Sequence, residues 1–317
     1  MAKTQYIKDL TNGSSVNTEL MVFSKELKTF TKEGKETKFL KLELGDNTGT
    51  IPAVCWDPDE INELINKGDV ISINTILTEH PDYGPQLKIS KANLKLCDEF
   101  DIADFLPKTS KNTDEMLEFV KTKIKEIENE HLTLLLNSFF NDEKFTEKFK
   151  KAPAAVLYHH NFIGGLLEHT VNVIKVCENL CSLYPELNKD LLITGAILHD
   201  VGKLEEYQYE KAIDVSEEGG LTGHIVFGDR MLNDKIKALP DFPSELKIRL
   251  HHMILSHHLK EGFGSPKKPQ FLEAVALGYA DYIDSKLQGF KQALEESKDE
   301  KEISKYNEKL EQYVYLK

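Results

Sequence analysis

Near residue 113 the apolar side chains of this 317-residue chain change their spacing, from every second residue to every third or fourth. Alternation puts one set of side chains on one face of a strand, whereas apolar residues three and four apart line one face of a helix. A segment written for one period does not sit still in the other. The chain is therefore expected to be multidomain, with a small all-β unit followed by an all-α one, and its length suits two domains of ordinary size.

Residues 1–98 read as strands. KFLKLEL (38–44) alternates, with Leu40, Leu42 and Leu44 on one face and Phe39, Lys41 and Glu43 on the other. GTIPAVCW (49–56), DVISINTIL (69–77) and PQLKISKANLKL (85–96) are further β-type runs, each introduced by Gly or Pro signals. DPDEINELINKG (57–68) interrupts them as a short helix, with Ile61, Leu64 and Ile65 on one side and Gly68 closing it. About five short strands with a helix between the third and fourth is the order of an OB-fold, a small barrel that commonly binds single strands. Through LELGDNTGTIPAVCWD the segment resembles OB domains of the tRNA anticodon-binding type. Lys25, Lys28, Lys32, Lys35, Lys38 and Lys41 cluster on the first hairpin, and Phe30, Phe39, Trp56 and Tyr83 offer faces on which bases stack. Lys28, Phe30, Lys35, Lys38, Phe39, Trp56 and Tyr83 are the candidate nucleic-acid contacts. A merely solvated hairpin, with Trp56 in the barrel core, is the competing reading.

Residues 99–112 read as a linker and 113–288 as the helical domain. Its first helix is expected to carry Thr113 as N-cap, with Met116, Leu117, Val120 and Ile124 on the apolar face. Further helices are expected at about 131–141, 143–150, 166–184, 190–201, 224–238, 244–257 and 270–288. The charged segment 289–317, with Tyr306, Leu310, Tyr313 and Tyr315, is expected as a helical extension packing on the body or on another subunit of a homo-oligomer.

A net charge of −13 argues against broad electrostatic adhesion to nucleic acid. It leaves room for a local basic patch, or for a site whose positive charge comes from metal cations. No stretch approaches the roughly 18 apolar residues of a membrane span. MAKTQYIKDLTNGSS has no apolar signal core, and the four cysteines are scattered, so a cytoplasmic protein is expected.

Ten of the eleven histidines fall in the helical half. His169 in GGLLEHT, His199 and Asp200 in LHDVGK, His224 in TGHI, His257 and His258 in ILSHHLKEGFGSP, and Asp281 in GYADYIDSK come from different expected helices or helix ends. A metal site inside a helical bundle needs that distribution, because facing helices must each supply a ligand or two. Imidazole and carboxylate without thiolate suit divalent Mn, Fe, Co, Ni or Zn. Asp200 has two oxygens and suits bridging a pair of ions about 3.5–4 Å apart. Alone, AILHDVGK reads better as a helix cap; the other residues reverse that preference.

The order H, HD, H, HH, D resembles the HD superfamily of metal-dependent phosphohydrolases across about 150–290. With the OB-type segment, NFIGGLLEHT, LHDVGK, TGHI, HMILSHH followed by GSP, and EAVALGYADYIDSK, the chain is similar over nearly its whole length to the YhaM-type 3′–5′ exoribonucleases. The resemblance implies hydrolysis of 3′-terminal phosphodiesters in single-stranded RNA, with single-stranded DNA also open, releasing 5′-mononucleotides. It implies two divalent ions, Mn²⁺ before Co²⁺, Fe²⁺ or Zn²⁺. His169, His199, Asp200 and Asp281 match the four ligands of the HD core, and His224 and His257 the extra ligands of the two-metal branch, with Asp200 bridging. Asp200 and Lys203 match the catalytic positions, Lys203 facing phosphate, and Gly202 is expected to let the backbone turn. His258, His252 and Asp284 stand as further metal or substrate residues, Asp284 one turn from Asp281 as a partner orienting a histidine. His159 and His160 fit either the substrate entrance or a surface loop. GFGSP in place of GYP departs from the cyclic-dinucleotide branch, and Gly165, four residues before His169, leaves no acid there for a third metal. Two alternatives remain: a phosphohydrolase of small or cyclic nucleotides, and a non-catalytic nucleic-acid-binding protein with a vestigial site.

Overall fold

The computed structural model describes residues 3, 5–32, 35–80, 84–156, 159–209, 212–297, 303–307 and 310–316, with backbone alone at 30–32, 35, 36, 263 and 296. The chain divides into two compact units, with the boundary at Pro107/Lys108.

The first unit contains β1 (Ser15–Lys32), β2 (Lys35–Asp46), β3 (Gly49–Cys55), α1 (Pro58–Leu64), β4 (Val70–His80), β5 (Gly84–Lys88) and the short β6 (Leu94–Leu96). β1 is long enough to serve two neighbours. Its first half pairs antiparallel with β4, from Ser15 opposite Ile76 to Met21 opposite Val70, and its second half pairs with β2. A register shift between Val22 and Ser24 separates the halves and bends the strand. β3 lies parallel to β5 and β5 antiparallel to β4, so the order β1-β2-β3-β5-β4 closes back on β1. Closure leaves no long unpaired edge, and with α1 between β3 and β4 this is the OB-fold expected. Leu40, Leu42 and Leu44 point inward as their alternation requires, against Val16, Leu20, Ile51, Ala53, Ile71 and Ile73, while α1 adds Ile61 and Ile65.

The segment 99–112, read as a linker, makes hydrogen bonds at both of its ends. Tyr6 Oη donates to Asp104 at 2.8 Å and the Asn47 amide donates to the Asp104 carbonyl at 2.9 Å, while Lys108 bridges to Ile163.

The second unit contains α2 (Thr113–Lys125), α3 (Glu130–Phe140), α4 (Glu143–Lys151), α5 (Gly165–Leu183), α6 (Lys189–Leu198), α7 (Lys203–Glu206), a small hairpin of β7 (Tyr207–Gln208) and β8 (Asp214–Val215), α8 (Glu217–Thr222), α9 (His224–Lys237), α10 (Ser244–Ser256), α11 (Leu272–Glu296), and a hairpin of β9 (Ser304–Asn307) and β10 (Gln312–Tyr315). Every residue of α6 from Leu191 to Leu198 is buried, so this helix runs through the core with α5, α10 and α11 packed on it. Two expectations are corrected. The cap of α2 is Asn112, whose side chain accepts from the amides of Asp114 and Glu115, and Thr113 is already helical. The C-terminal segment is a continuation of α11 to Glu296 followed by a β-hairpin, and Leu310 and Val314 bury themselves with Ala293 of α11. Among the described residues no helix is long and apolar enough to cross a membrane.

Candidate metal centre and active site

Three helix ends and the middles of two further helices converge in the second unit. Gly164, in the left-handed region at φ 82°, turns the chain into α5 and sets His169 fully buried on its inner face. α6 stops at Leu198; His199 caps it and donates from Nδ1 to the Ala196 carbonyl at 2.9 Å. His257 closes α10 in the same way, with Nδ1 donating to the Ile254 carbonyl at 2.7 Å. His224 opens α9 after Gly223 (φ 77°), with Nδ1 2.9 Å from Glu206 Oε2. His169 Nδ1 lies 2.7 Å from Asp284 Oδ2 on α11.

A carbonyl or carboxylate only accepts, so His169, His199 and His257 carry their proton on Nδ1 and turn Nε2 inward, and His224 turns its Nε2 to the same centre. The Nε2 atoms fall into two groups, one at each oxygen of Asp200. On one side, His169 Nε2 lies 3.1 Å from His199 Nε2 and 3.2 Å from Asp281 Oδ1, with Asp200 Oδ2 3.4 Å from both histidines. On the other, Asp200 Oδ1 faces His257 Nε2 at 3.5 Å and His224 Nε2 at 3.7 Å, and His258 Nε2 is 2.9 Å from His224 Nε2. Ligands about 2.1 Å from one ion stand roughly 3–3.5 Å from each other, which is this spacing. Asp200 Oδ1 and His257 Nε2 are buried without a hydrogen-bond partner, a costly state unless a cation satisfies both. The donor set, imidazole nitrogen and carboxylate oxygen, fits a divalent transition metal. Burial would raise the Asp200 carboxyl, but Lys203 and the surrounding imidazoles hold it well below the ordinary range, so it is ionised.

Asp284 contacts two imidazoles and an amide. Its Oδ2 takes His169 and His160, the latter at 2.8 Å, and its Oδ1 accepts from Asn172 Nδ2 at 2.9 Å. Lys203 is buried with Nζ 2.7 Å from Asp200 Oδ2; burial would lower its pKa, but the Asp200 carboxylate raises it, and it stays charged. It lines a cavity of about 210 Å³ together with His159, His257, Asp281, Tyr282 and Lys286. Burial pulls the His159 imidazole down to about 3, so that ring is neutral.

Several placements differ from expectation. His252 stands apart from the cluster: its Nε2 accepts from the Gln270 amide at 3.1 Å and its ring packs on Phe271. Gly202 sits at φ −64°, ordinary helical backbone, and its role is close approach. A Cβ there would lie 1.9 Å from the His224 carbonyl oxygen, so only glycine lets α9 bring His224 up to Asp200. His159 and His160 belong to the site wall and its support, not to a surface loop. Glu206 and Asn172 were not singled out in the sequence. Glu168, beside His169, turns away and binds Thr109 and Lys111 at 2.5 and 3.0 Å.

On the barrel, Trp56 is 52% exposed and therefore not core; its ring packs against Phe39 at a 32° tilt, with centroids 5.2 Å apart. Phe39 and Trp56 share a groove of about 620 Å³ with Lys28, Lys41, His80 and Gln86, and Lys38 lies beside Trp56 in a second one. Lys25 instead donates to the Asn62 and Ile65 carbonyls at the end of α1. Tyr83 and the side chains of Phe30 and Lys35 lie outside the described residues.

The HD domain family matches residues 166–286. The 3′-5′ exoribonuclease YhaM of Geobacillus sp. (strain WCH70) is 33% identical over 289 residues, covering 90% of this chain and 87% of that protein. The protein of the same name from Bacillus subtilis (strain 168) is 33% identical over 291 residues, 90% of each chain. Among solved structures, the second OB-fold domain of replication protein A from Methanococcus maripaludis overlaps 31% of this chain and 97% of its own, at 20% identity and TM-score 0.24, too low to bear on function. The two full-length relatives place this chain in the YhaM 3′-5′ exoribonuclease family, and it is a hydrolase built on an HD domain.

Proposed function

We propose that the protein removes nucleotides one at a time from the 3′ end of single-stranded RNA, releasing 5′-mononucleotides, at a centre of two divalent ions. The observation that carries this is the pair of imidazole clusters facing the two oxygens of Asp200. His169, His199 and Asp281 would hold one ion and His224, His257 and His258 the other, with one oxygen of Asp200 facing each group. Such ions, Mn²⁺ by preference, neutralise phosphate charge and make water a nucleophile near neutral pH. Asp284, Glu206 and the Ala196 and Ile254 carbonyls keep the rings aimed inward. Lys203 adds a fixed positive charge at the cavity wall, where charge builds on the phosphate oxygens as the phosphodiester is attacked. A cavity of about 210 Å³ favours a chain terminus over a strand passing through. The Phe39–Trp56 shelf with Lys28, Lys38 and Lys41 holds the single strand in this reading.

The test is a 5′-labelled single-stranded RNA incubated with Mn²⁺ and the full chain, its His199→Ala variant or its Asp200→Ala variant. A ladder shortening from the 3′ end is expected for the unaltered protein, with the rate reduced roughly a thousandfold in both variants. Hydrolysis of mononucleotide esters without any RNA ladder would place the chain among small-nucleotide phosphohydrolases instead.

A further inference from the structure

The outer face of α11 continues the active-site cavity as a second groove. Tyr279, Tyr282 and Lys286 are spaced three and four residues apart and so stack one above another along that helix. Tyr282 lines both spaces: the cavity beside Lys203, and a groove of about 510 Å³ formed by Leu259, Lys260, Lys268, Pro269, Val275 and Tyr279. Lys286 Nζ stands 5.7 Å from the Tyr282 ring centroid. The far wall is the turn after the paired histidines, where Leu259 takes φ 68°, a strained value for a γ-branched residue. Gly278 makes that turn possible: a Cβ there would come within 2.5 Å of Leu259 Cδ2 and 2.9 Å of the His257 carbonyl oxygen. The groove is thus held against the same turn that delivers His257 and His258.

We propose that this face of α11 is the track that grips the last nucleotides of the RNA, with bases on Tyr279 and Tyr282 and phosphates at Lys260, Lys268 and Lys286. The inference rests on the exonuclease reading. Three observations favour a nucleic-acid occupant over a protein. No carboxylate lines the groove among the described residues, in a chain of net charge −13. Lysine is depleted at protein–protein interfaces but is needed along a phosphate backbone. Finally, the groove shares Tyr282 with the cavity lined by Lys203, His257, His258 and Asp281, so a strand lying in it presents its end to those residues. Exposed tyrosine rings give the sequence-tolerant stacking that a processing enzyme needs, because every base has a face to offer.

The test compares two substrates for the full chain with Mn²⁺: a single-stranded RNA and the p-nitrophenyl ester of thymidine 5′-phosphate, which is too short to reach Tyr279. Tyr279→Ala should lose roughly tenfold more in kcat/KM on RNA than on the ester, and Tyr279→Phe, which keeps the ring, should recover most of it. Lys268→Ala should lower the slope of log KM for RNA against log salt by about 0.7, one phosphate contact. Tyr184→Ala, at the exposed end of α5, is the control. Equal losses on both substrates, or an RNA loss no larger than that of the control, overturns the proposal. Parallel losses with a changed molar mass in light scattering would make the face a contact between copies, and also overturn it. Photo-crosslinking of RNA carrying 3′-terminal 4-thiouridine, done in EDTA, reads the contact without turnover. A crosslink within residues 259–286 supports the track even if the RNA ladder fails, and its absence sinks the track even if the ladder succeeds.

Discussion

The two units differ in how much polar chemistry they bury beside their apolar cores. Inside the barrel the core is aliphatic, from Val16 and Leu20 through Leu40, Leu42 and Leu44 to Ile71 and Ile73, and its candidate contacts, Phe39, Lys38 and Trp56, stand on the outside. The helical unit buries His160, His169, His199, Asp200, Lys203, His257, Asp281 and Asp284 beside an equally apolar core. Removing charge from water is costly unless something pairs with it. The barrel limits that cost to one paired couple, Lys3 and Asp46, and keeps its candidate contacts at the surface. The helical unit accepts it, and its polar centre is a place where ligand and fold depend on each other.

Substitutions can break or sharpen this contrast. The largest effect is expected from Asp284→Asn, which keeps the shape but removes the charge orienting His169 and His160. Mn²⁺ affinity by calorimetry should fall roughly 10- to 100-fold, as for other supporting partners of metal-bound histidines. Unchanged affinity would mean that Asp284 merely fills space, and the two units would then differ less than their burial implies. Next comes Gly202→Ala. Its methyl group meets the His224 carbonyl, so α9 must retreat, at a cost of about 1–3 kcal/mol. In a unit of this size that lowers the melting temperature by roughly 2–4 °C per kcal/mol. Calorimetry should place the drop in the helical unit alone; no drop would return Gly202 to a simple turn residue. The smallest is Trp56→Ala. Its exposed ring should cost the barrel less than about 0.5 kcal/mol, yet weaken binding of single-stranded RNA roughly tenfold by fluorescence anisotropy. A large loss of barrel stability would show that the shelf is core after all.

How much was legible in the sequence follows the same division. In KFLKLEL the period of two names the buried face without help, and strand order with one inserted helix suffices for the barrel. Asn112 carried a readable signal, since Asn with Glu three residues later is a helix start and its Nδ2 does donate to Glu115 at 3.1 Å. The terminal hairpin was obscured because SKYN and QYVY are short and lie amid charged residues; the burial of Leu310 and Val314 against Ala293 is a tertiary event. Glu206 and Asn172 were invisible for a related reason. Each acts on a residue far along the chain, His224 and Asp284, and no local spacing announces such a pair.

By itself the sequence determined the two periods, hence the order of barrel and bundle, and the residue types able to bind divalent metal. Those are local properties: a side chain's face follows from its spacing, and its chemistry from its identity. Only the tertiary structure decided which histidines meet. His252 and His257 sit five residues apart at the same end of α10, yet one packs on Phe271 and the other faces Asp200. That choice belongs to the way α10 and α11 pack on α6 and α9 packs on α10 and α7, made possible by glycines at 202 and 278 where backbones come too close for any side chain. Contact between distant segments is decided by packing, and packing is a property of the whole core.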